Sequence, residues 1–170
     1  MSQSNTAAWD NPMGTDGFEF IEYAAPDPKA MGELFERMGF VAVAKHRRKN
    51  VVLYRQGEIN FLINAEPDSF AQRFAKLHGP SICAIAFRVA DAHQAYHRAL
   101  DLGAFGYAGT AGAGELNIPA IKGIGDSLIY FIDRYGVADS IYQRDFEPHD
   151  EPAIVEDLGF SCIDHLTNNV

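Results

Sequence analysis

Phe18-Glu19-Phe20-Ile21-Glu22-Tyr23-Ala24, followed by Asp27-Pro28, decides the fold, because its arrangement returns 64 residues later as Ile82-Cys83-Ala84-Ile85-Ala86-Phe87-Arg88 with Asp91 behind it. Each stretch has the length and residue types of a strand. In each, the aspartate stands where it can cap the first turn of a helix, and Pro28 suits the first helical position. Met31, Leu34, Phe35 and Met38 then recur at the spacing of one helical face, and Gly39 suits a left-handed helix end. Strands are expected over Phe40–His46, Val51–Arg55 and Glu58–Asn64, with turns at Arg48-Lys49-Asn50 and Gln56-Gly57. The unit is βαβββ.

A connecting helix is expected over Asp68–His78, with Phe70, Phe74 and Leu77 on one side and Gly79-Pro80 as its stop. After it Phe20 maps to Ala84, Ile21 to Ile85, Asp27 to Asp91 and Gly39 to Gly103, which marks an internal duplication. Ala92, Ala95, Tyr96 and Ala99 form the buried face of the second module's helix. Strands are expected over Ala104–Gly109, Glu115–Lys122 and Ser127–Asp133, with Gly112, Gly114, Gly123 and Gly125 in the turns. One helix and four strands are too little to close a core alone. The fold class is therefore α+β: two tandem βαβββ modules side by side in one curved mixed sheet, the helices on its outer face and a cup on the other. Phe20 and Ala84 are expected to face the cup, and Ile21, Tyr23, Ile85 and Phe87 the helices.

This places a tail at residues 1–16, the first module at 17–66, and the connecting helix with the second module at 67–138. Residues 139–160 crowd Asp145, Glu147, Asp150, Glu151, Glu156 and Asp157 around Pro148 and Pro152, and are expected to be an acidic linker. Residues 161–170 alternate apolar and polar side chains as the first strand of a further domain would.

The chain carries a formal charge of -9 with 47% hydrophobic and 22% charged residues. That balance argues against a nucleic-acid partner or an anionic membrane surface. Met1–Asp16 has neither the basic nor the apolar region of a signal peptide, so the cytoplasm is expected. Cys83 and Cys162 lie inside apolar strand patterns, which predicts two reduced, mostly buried thiols.

Candidate chemistry is sparse. If Ile163 aligns with Phe18 and Ile82, His165 falls where the modules carry Phe20 and Ala84, so a metal-capable side chain replaces apolar ones. A mononuclear site of the two-histidine, one-carboxylate kind needs three ligands on one face, and residues 1–160 offer no second histidine and acid at equivalent positions. No metal is expected there. His93 and His97 are spaced like a zinc-protease pair, but Gln94 stands where the general base is needed, and a solvated helix flank is expected. Lys45-His46-Arg47-Arg48-Lys49 reads as a solvated turn or a contact to an acidic surface. No phosphate-binding glycine motif or nucleophile elbow is present.

The duplicated unit resembles the vicinal oxygen chelate superfamily, which includes the glyoxalase and bleomycin-resistance proteins. Asn11-Pro12-Met13-Gly14 with Gly17–Glu22, Tyr54-Arg55-Gln56-Gly57-Glu58-Ile59-Asn60, Ile118–Gly125 and Ile163-Asp164-His165-Leu166-Thr167 further resemble the bacterial 4-hydroxyphenylpyruvate dioxygenases, over the N-terminal half of their length. The resemblance implies the oxidation of 4-hydroxyphenylpyruvate by O2 to homogentisate and CO2, a step of tyrosine catabolism. It implies Fe(II) held by two histidines and a glutamate of a C-terminal catalytic domain, with His165 as the first ligand and Asp164 and Thr167 as its neighbours. Tyr130 stands where that glutamate would fall, so Phe20, Ala84 and Tyr130 are the metal-free equivalents. No catalytic residue and no activity are expected of these residues alone. The implied partners are the catalytic domain and, by the bacterial members, further copies in a homo-oligomer. Hydroxymandelate synthesis and a free-standing binding or scaffold module remain the alternatives.

Overall fold

Helix caps set the first joint of each module. The computed structural model describes residues 10–109, 116–136, 138–151, 154 and 156–168. The first module runs β1 (Thr15–Ala24), α1 (Pro28–Arg37), β2 (Val41–His46), β3 (Val51–Gln56) and β4 (Ile59–Asn64). Helix α2 (Phe70–His78) leads to β5 (Ser81–Val89), α3 (Ala92–Asp101), β6 (Gly106–Tyr107), β7 (Ala120–Lys122) and β8 (Leu128–Ile132). Two further elements follow, α4 (Ile141–Asp145) and β9 (Phe146–Pro148). Asp27 accepts from the Ala30 N–H at 3.0 Å and Asp91 from the Gln94 N–H at 2.8 Å, so both aspartates cap as their spacing predicts. Each such cap stabilises its helix by about 1 kcal/mol.

Among the described residues nine strands form one mixed sheet in the order β6-β7-β8-β5-β1-β4-β3-β2-β9. The modules meet along β1 and β5, which run antiparallel, while β1 with β4 and β5 with β8 are parallel. Ile21 pairs with Ile85, and their neighbours cross-pair as Phe20 with Ala86 and Glu22 with Ala84. The two-fold relating the modules therefore passes between Ile21 and Ile85, the positions the repeat equates.

Each face of the sheet has its own core. On the helix side Phe35 of α1 packs with Phe40, Tyr54, Ile59 and Ile63, and Ala92, Ala95 and Ala99 of α3 pack with Val89, Ile121 and Phe131. Tyr23 and Phe87 join these two clusters, on the face expected of them. On the cup side Phe20, Leu53, Leu62, Ala86 and Ile132 pack together. Fully burying a side chain such as Phe35 contributes roughly 2–3 kcal/mol.

Within residues 17–160 the structure differs from the sequence expectations in three places. First, Leu34 of α1, Met38 at the C-terminal cap of α1 and Leu77 of α2 are exposed, at 43%, 36% and 81%. Helix α1 turns Gly32 to the sheet instead, where a Cβ would lie 2.4 Å from the Tyr54 hydroxyl. Second, the later strands of the second module are shorter than expected. Pro119 has no N–H to extend the ladder of β7, although its carbonyl still accepts from the Phe131 N–H at 3.0 Å. Gly112, Gly114 and Glu115 lie outside the described residues.

Third, the start of the expected acidic linker is folded. Ser140 caps α4, and β9 pairs antiparallel with β2 through Lys45 with Glu147 and His46 with Phe146. Ile141 and Phe146 are 4% and 5% exposed and plug one side of the cup. Their burial, roughly 2 kcal/mol each, outweighs the solubility of the acids around them. The acids mask these two anchors in a compositional reading. Among the described residues no helix is long and apolar enough to cross a membrane.

Candidate functional site

Strand alternation aims every second side chain of β1 and β5 into the cup. On that face a cavity of about 180 Å³ is lined by Phe20 and Glu22 of β1, Leu62 and Asn64 of β4, Tyr130 of β8 and Asp145 of α4, among others. The Phe20 and Tyr130 rings lie 5.8 Å apart, with Ala86 paired to both backbones. Ala84, fully buried, sits one step along, paired with Glu22 and Leu128. The three expected metal-free equivalents thus lie together at the centre of the sheet.

Glu22 is the cup residue that sequence reasoning missed, although it stands two positions after Phe20 and so shares its face. Its carboxyl is buried and accepts from the Asn64 Nδ2–H at 2.7 Å. Burial pushes its pKa up, opposed in part by the Asn64 bond and by the charge of Lys49. Burial pushes the Tyr130 hydroxyl up as well. Both groups therefore hold their protons more tightly than in water. Among the described residues no three His, Cys, Asp or Glu side chains gather as a metal site.

A second titratable cluster joins the modules beside the cup. Glu19, 3% exposed, accepts from Arg88 Nε at 2.6 Å, and Arg88 also approaches Glu58 at 3.8 Å and the Tyr135 ring at 5.5 Å. Asn60 and Tyr142 both donate to the Glu19 carbonyl, at 2.9 and 3.2 Å. Burial raises the Glu19 carboxyl above its ordinary value, and the Arg88 bond and charge offset only part of this. Every charge here has a partner inside the cluster, which makes it a tie between β1 and β5.

The remaining candidates lie at the surface. His93 and His97 meet on α3 with their Nε2 atoms 3.1 Å apart, both exposed. The basic turn after β2 is held by the chain itself: His46 Nδ1 accepts from the Arg48 and Lys49 N–H groups at 3.1 Å, and Arg47 Nε donates to the Arg144 carbonyl at 3.2 Å.

Residues 161–168 form no strand, contrary to the alternating pattern there. A strand needs a run of backbone hydrogen bonds to a neighbour, and among the described residues no strand pairs with this segment, although the Glu58 N–H donates to the Ser161 carbonyl at 2.8 Å. Cys83 is buried as expected, but Cys162 is exposed for the same reason. His165 is also exposed, and its Nδ1 lies 3.0 Å from Asp164 Oδ1. That bond holds the Asp164 carboxyl below its usual range. Thr167 is exposed two residues beyond. The structure brings His165 and Asp164 together and keeps both away from the cup residues.

Comparison with known proteins agrees with this architecture. Residues 9–147 match the profile of the family described as hydroxyphenylpyruvate dioxygenase, HPPD, N-terminal. The chain is 53% identical over 165 residues to a 4-hydroxyphenylpyruvate dioxygenase of a Pseudomonas species, covering 95% of this chain and 46% of that protein. It is 54% identical over 166 residues to hemolysin VllY of Vibrio vulnificus, covering 94% and 46%. A solved fusion of a xylose isomerase-like TIM barrel with a 4-hydroxyphenylpyruvate dioxygenase superposes with a TM-score of 0.78 at 34% identity, over 96% of this chain and 26% of that one. The chain thus spans about half the length of the curated relatives it matches. With the duplicated sheet, its cup and these matches together, the chain belongs to the hydroxyphenylpyruvate dioxygenase family, of which residues 9–147 are the N-terminal domain.

Proposed function

We propose that this chain is the metal-free structural domain of an Fe(II)-dependent 4-hydroxyphenylpyruvate dioxygenase, which converts 4-hydroxyphenylpyruvate and O2 to homogentisate and CO2 in cytoplasmic tyrosine catabolism. The observation that carries this is 53% identity to such a dioxygenase over 95% of the chain. In this reading 17–66 and 67–138 are the two modules, a connection ends near residue 160, and residues 161–170 open a catalytic domain. That domain and further copies of the chain are the partners.

Within this reading His165 is one of three metal ligands, and its setting fits the role. Asp164 accepts from Nδ1–H, which would fix the ring and leave Nε2 as the nitrogen that would hold the metal, and Thr167 is near enough in sequence to support the same group. Bound Fe(II) would chelate the 2-oxo acid and activate oxygen, the chemistry of a ligand set with open positions. The present residues supply the rigid sheet and one oriented imidazole. The test is a full-length protein beside its His165→Ala variant and the 170-residue chain alone. Oxygen uptake with homogentisate release by the first, and loss of bound iron from the second, are expected. Turnover by the isolated chain would overturn the proposal.

A second reading, a small-ligand site in the cup, is favoured by the 180 Å³ cavity with a buried carboxyl in its wall. A cavity of that size accepts one aromatic ring. Titration with benzylamine, followed through the amide resonances of Phe20 and Tyr130, tests it, and unchanged resonances at millimolar ligand remove it.

A further inference from the structure

The string Tyr54-Arg55-Gln56-Gly57-Glu58-Ile59-Asn60 belongs to no catalytic site, yet its turn makes a set of contacts that the fold of the module does not require. Gln56 ends β3 with its side chain 5% exposed. Its amide is used at both ends: Nε2 donates to the Met38 carbonyl at 3.0 Å, and Oε1 accepts from the Phe160 N–H at 2.9 Å. Two residues on, the Glu58 N–H donates to the Ser161 carbonyl at 2.8 Å. The chain at 160–161 is thus held by two hydrogen bonds although it forms no strand, and Ile163 then packs against the cluster around Phe35 and Tyr54.

Two glycines make room for this crossing. Gly57, with φ of +54°, would place a Cβ 2.6 Å from the Phe160 carbonyl oxygen and 2.9 Å from Ser161. Gly39, with φ of +81°, would place one 2.3 Å from Gln56 Nε2 and 2.7 Å from the Glu156 carbonyl oxygen. In both cases the obstacle includes backbone of the crossing segment, so a side chain at either position must push that segment away. Glu58 also reaches Arg88 of β5, which links the turn to the second module.

We propose that the β3–β4 turn, with Gly39, is a clasp that fixes where the chain leaves this domain and thereby positions the Asp164–His165 pair. His165 follows Ser161 by four residues, so its Cα lies within roughly 14 Å of the clasp, at about 3.5 Å per extended residue. A ligating group needs placement to within about 0.5 Å, which a short tether provides only when its root is held. Gln56 and Gly57 are positioning residues. The inference rests on the reading of His165 as an iron ligand, but the clasp itself does not.

The experiment separates the two. Gly57→Ala is compared with Gly125→Ala, because Gly125 has a φ of +63° and nothing within 4 Å of where a Cβ would stand. Both substitutions impose the same left-handed backbone cost, and only the first meets the crossing segment. In the 170-residue chain, amide hydrogen exchange of Phe160 and Glu58 is expected to rise at least about tenfold in Gly57→Ala and to stay unchanged in Gly125→Ala. Gln56→Met, which removes both amide contacts without strain, is the milder variant should Gly57→Ala fold poorly, and the same direction is expected. In the full-length protein, competition with a chelator is expected to show iron affinity weakened about tenfold by Gly57→Ala and Gln56→Met but not by Gly125→Ala. Equal exchange in all variants overturns the clasp. Faster exchange with unchanged iron affinity overturns the positioning role. Iron retained by His165→Ala overturns the ligand reading and the positioning role with it, and leaves the exchange result to judge the clasp.

Discussion

Arg88→Ala is the sharpest probe of how the modules are joined. Arg88 lies on β5 and Glu19 on β1, and their 2.6 Å contact crosses the central seam of the sheet. The Glu19 side chain is 3% exposed and that of Arg88 is 23% exposed, so removing the guanidinium strands a buried carboxylate while water reaches only its former partner. Breaking a buried pair from one side costs about 3–5 kcal/mol, and the partial exposure of Arg88 puts the expected loss near 3 kcal/mol. For a chain of this length that corresponds to a melting-point drop of roughly 6–12 °C. In a Glu19→Gln background the same substitution strands no charge and is expected to cost only about 1 kcal/mol, a coupling of roughly 2 kcal/mol. Burial already raises the Glu19 carboxyl above its ordinary value, so the folded chain binds that proton more tightly than the unfolded one. Stability from this group is therefore full below the ordinary carboxyl range and falls as pH rises through the folded value. Without Arg88 the folded value rises further, so the cost of Arg88→Ala is expected to be larger at pH 7 than at pH 4. Urea unfolding followed by far-ultraviolet circular dichroism measures all four corners of the cycle. A cost under about 1 kcal/mol at pH 7, or equal costs in both backgrounds, would refute the argument.

Glu22→Gln keeps the acceptor for Asn64 but removes the carboxyl whose pKa burial raises, so it is expected to melt higher than the parent at pH 7, with the gain vanishing toward pH 4; a gain that does not change with pH would contradict the assignment. Gly32→Ala gains about 1 kcal/mol of helix propensity but sets a Cβ 2.4 Å from the Tyr54 hydroxyl, so a net loss of about 1–2 kcal/mol is expected, partly recovered in Gly32→Ala with Tyr54→Phe; a stabilised single variant would show that α1 is placed differently. A thiol reagent is expected to titrate Cys162 in the folded chain and Cys83 only in denaturant, since Cys83 is buried and its thiol pushed up by burial; two thiols reacting in the native state would contradict this.

Much of this protein is local and therefore legible from its residues. Asp27 and Asp91 cap helices because a short acceptor before a helix satisfies free N–H groups wherever the helix lies, and the 64-residue repeat places Ile21 opposite Ile85 because duplicated units pair about a two-fold. The cup side of Phe20 followed from strand alternation, and the same rule applied to Glu22 would have exposed the buried carboxyl. What the tertiary structure alone decided depends on partners distant in the chain. Whether Leu34 or Gly32 faces the sheet is set by Tyr54, whether residues 141–148 are linker or structure is set by the open edge of β2, and whether 161–168 forms a strand is set by a neighbour for its backbone. The crossing of Phe160 over Gly57 could not be read from the string around either residue, because a close backbone approach leaves no trace except a glycine that a simple turn would equally explain.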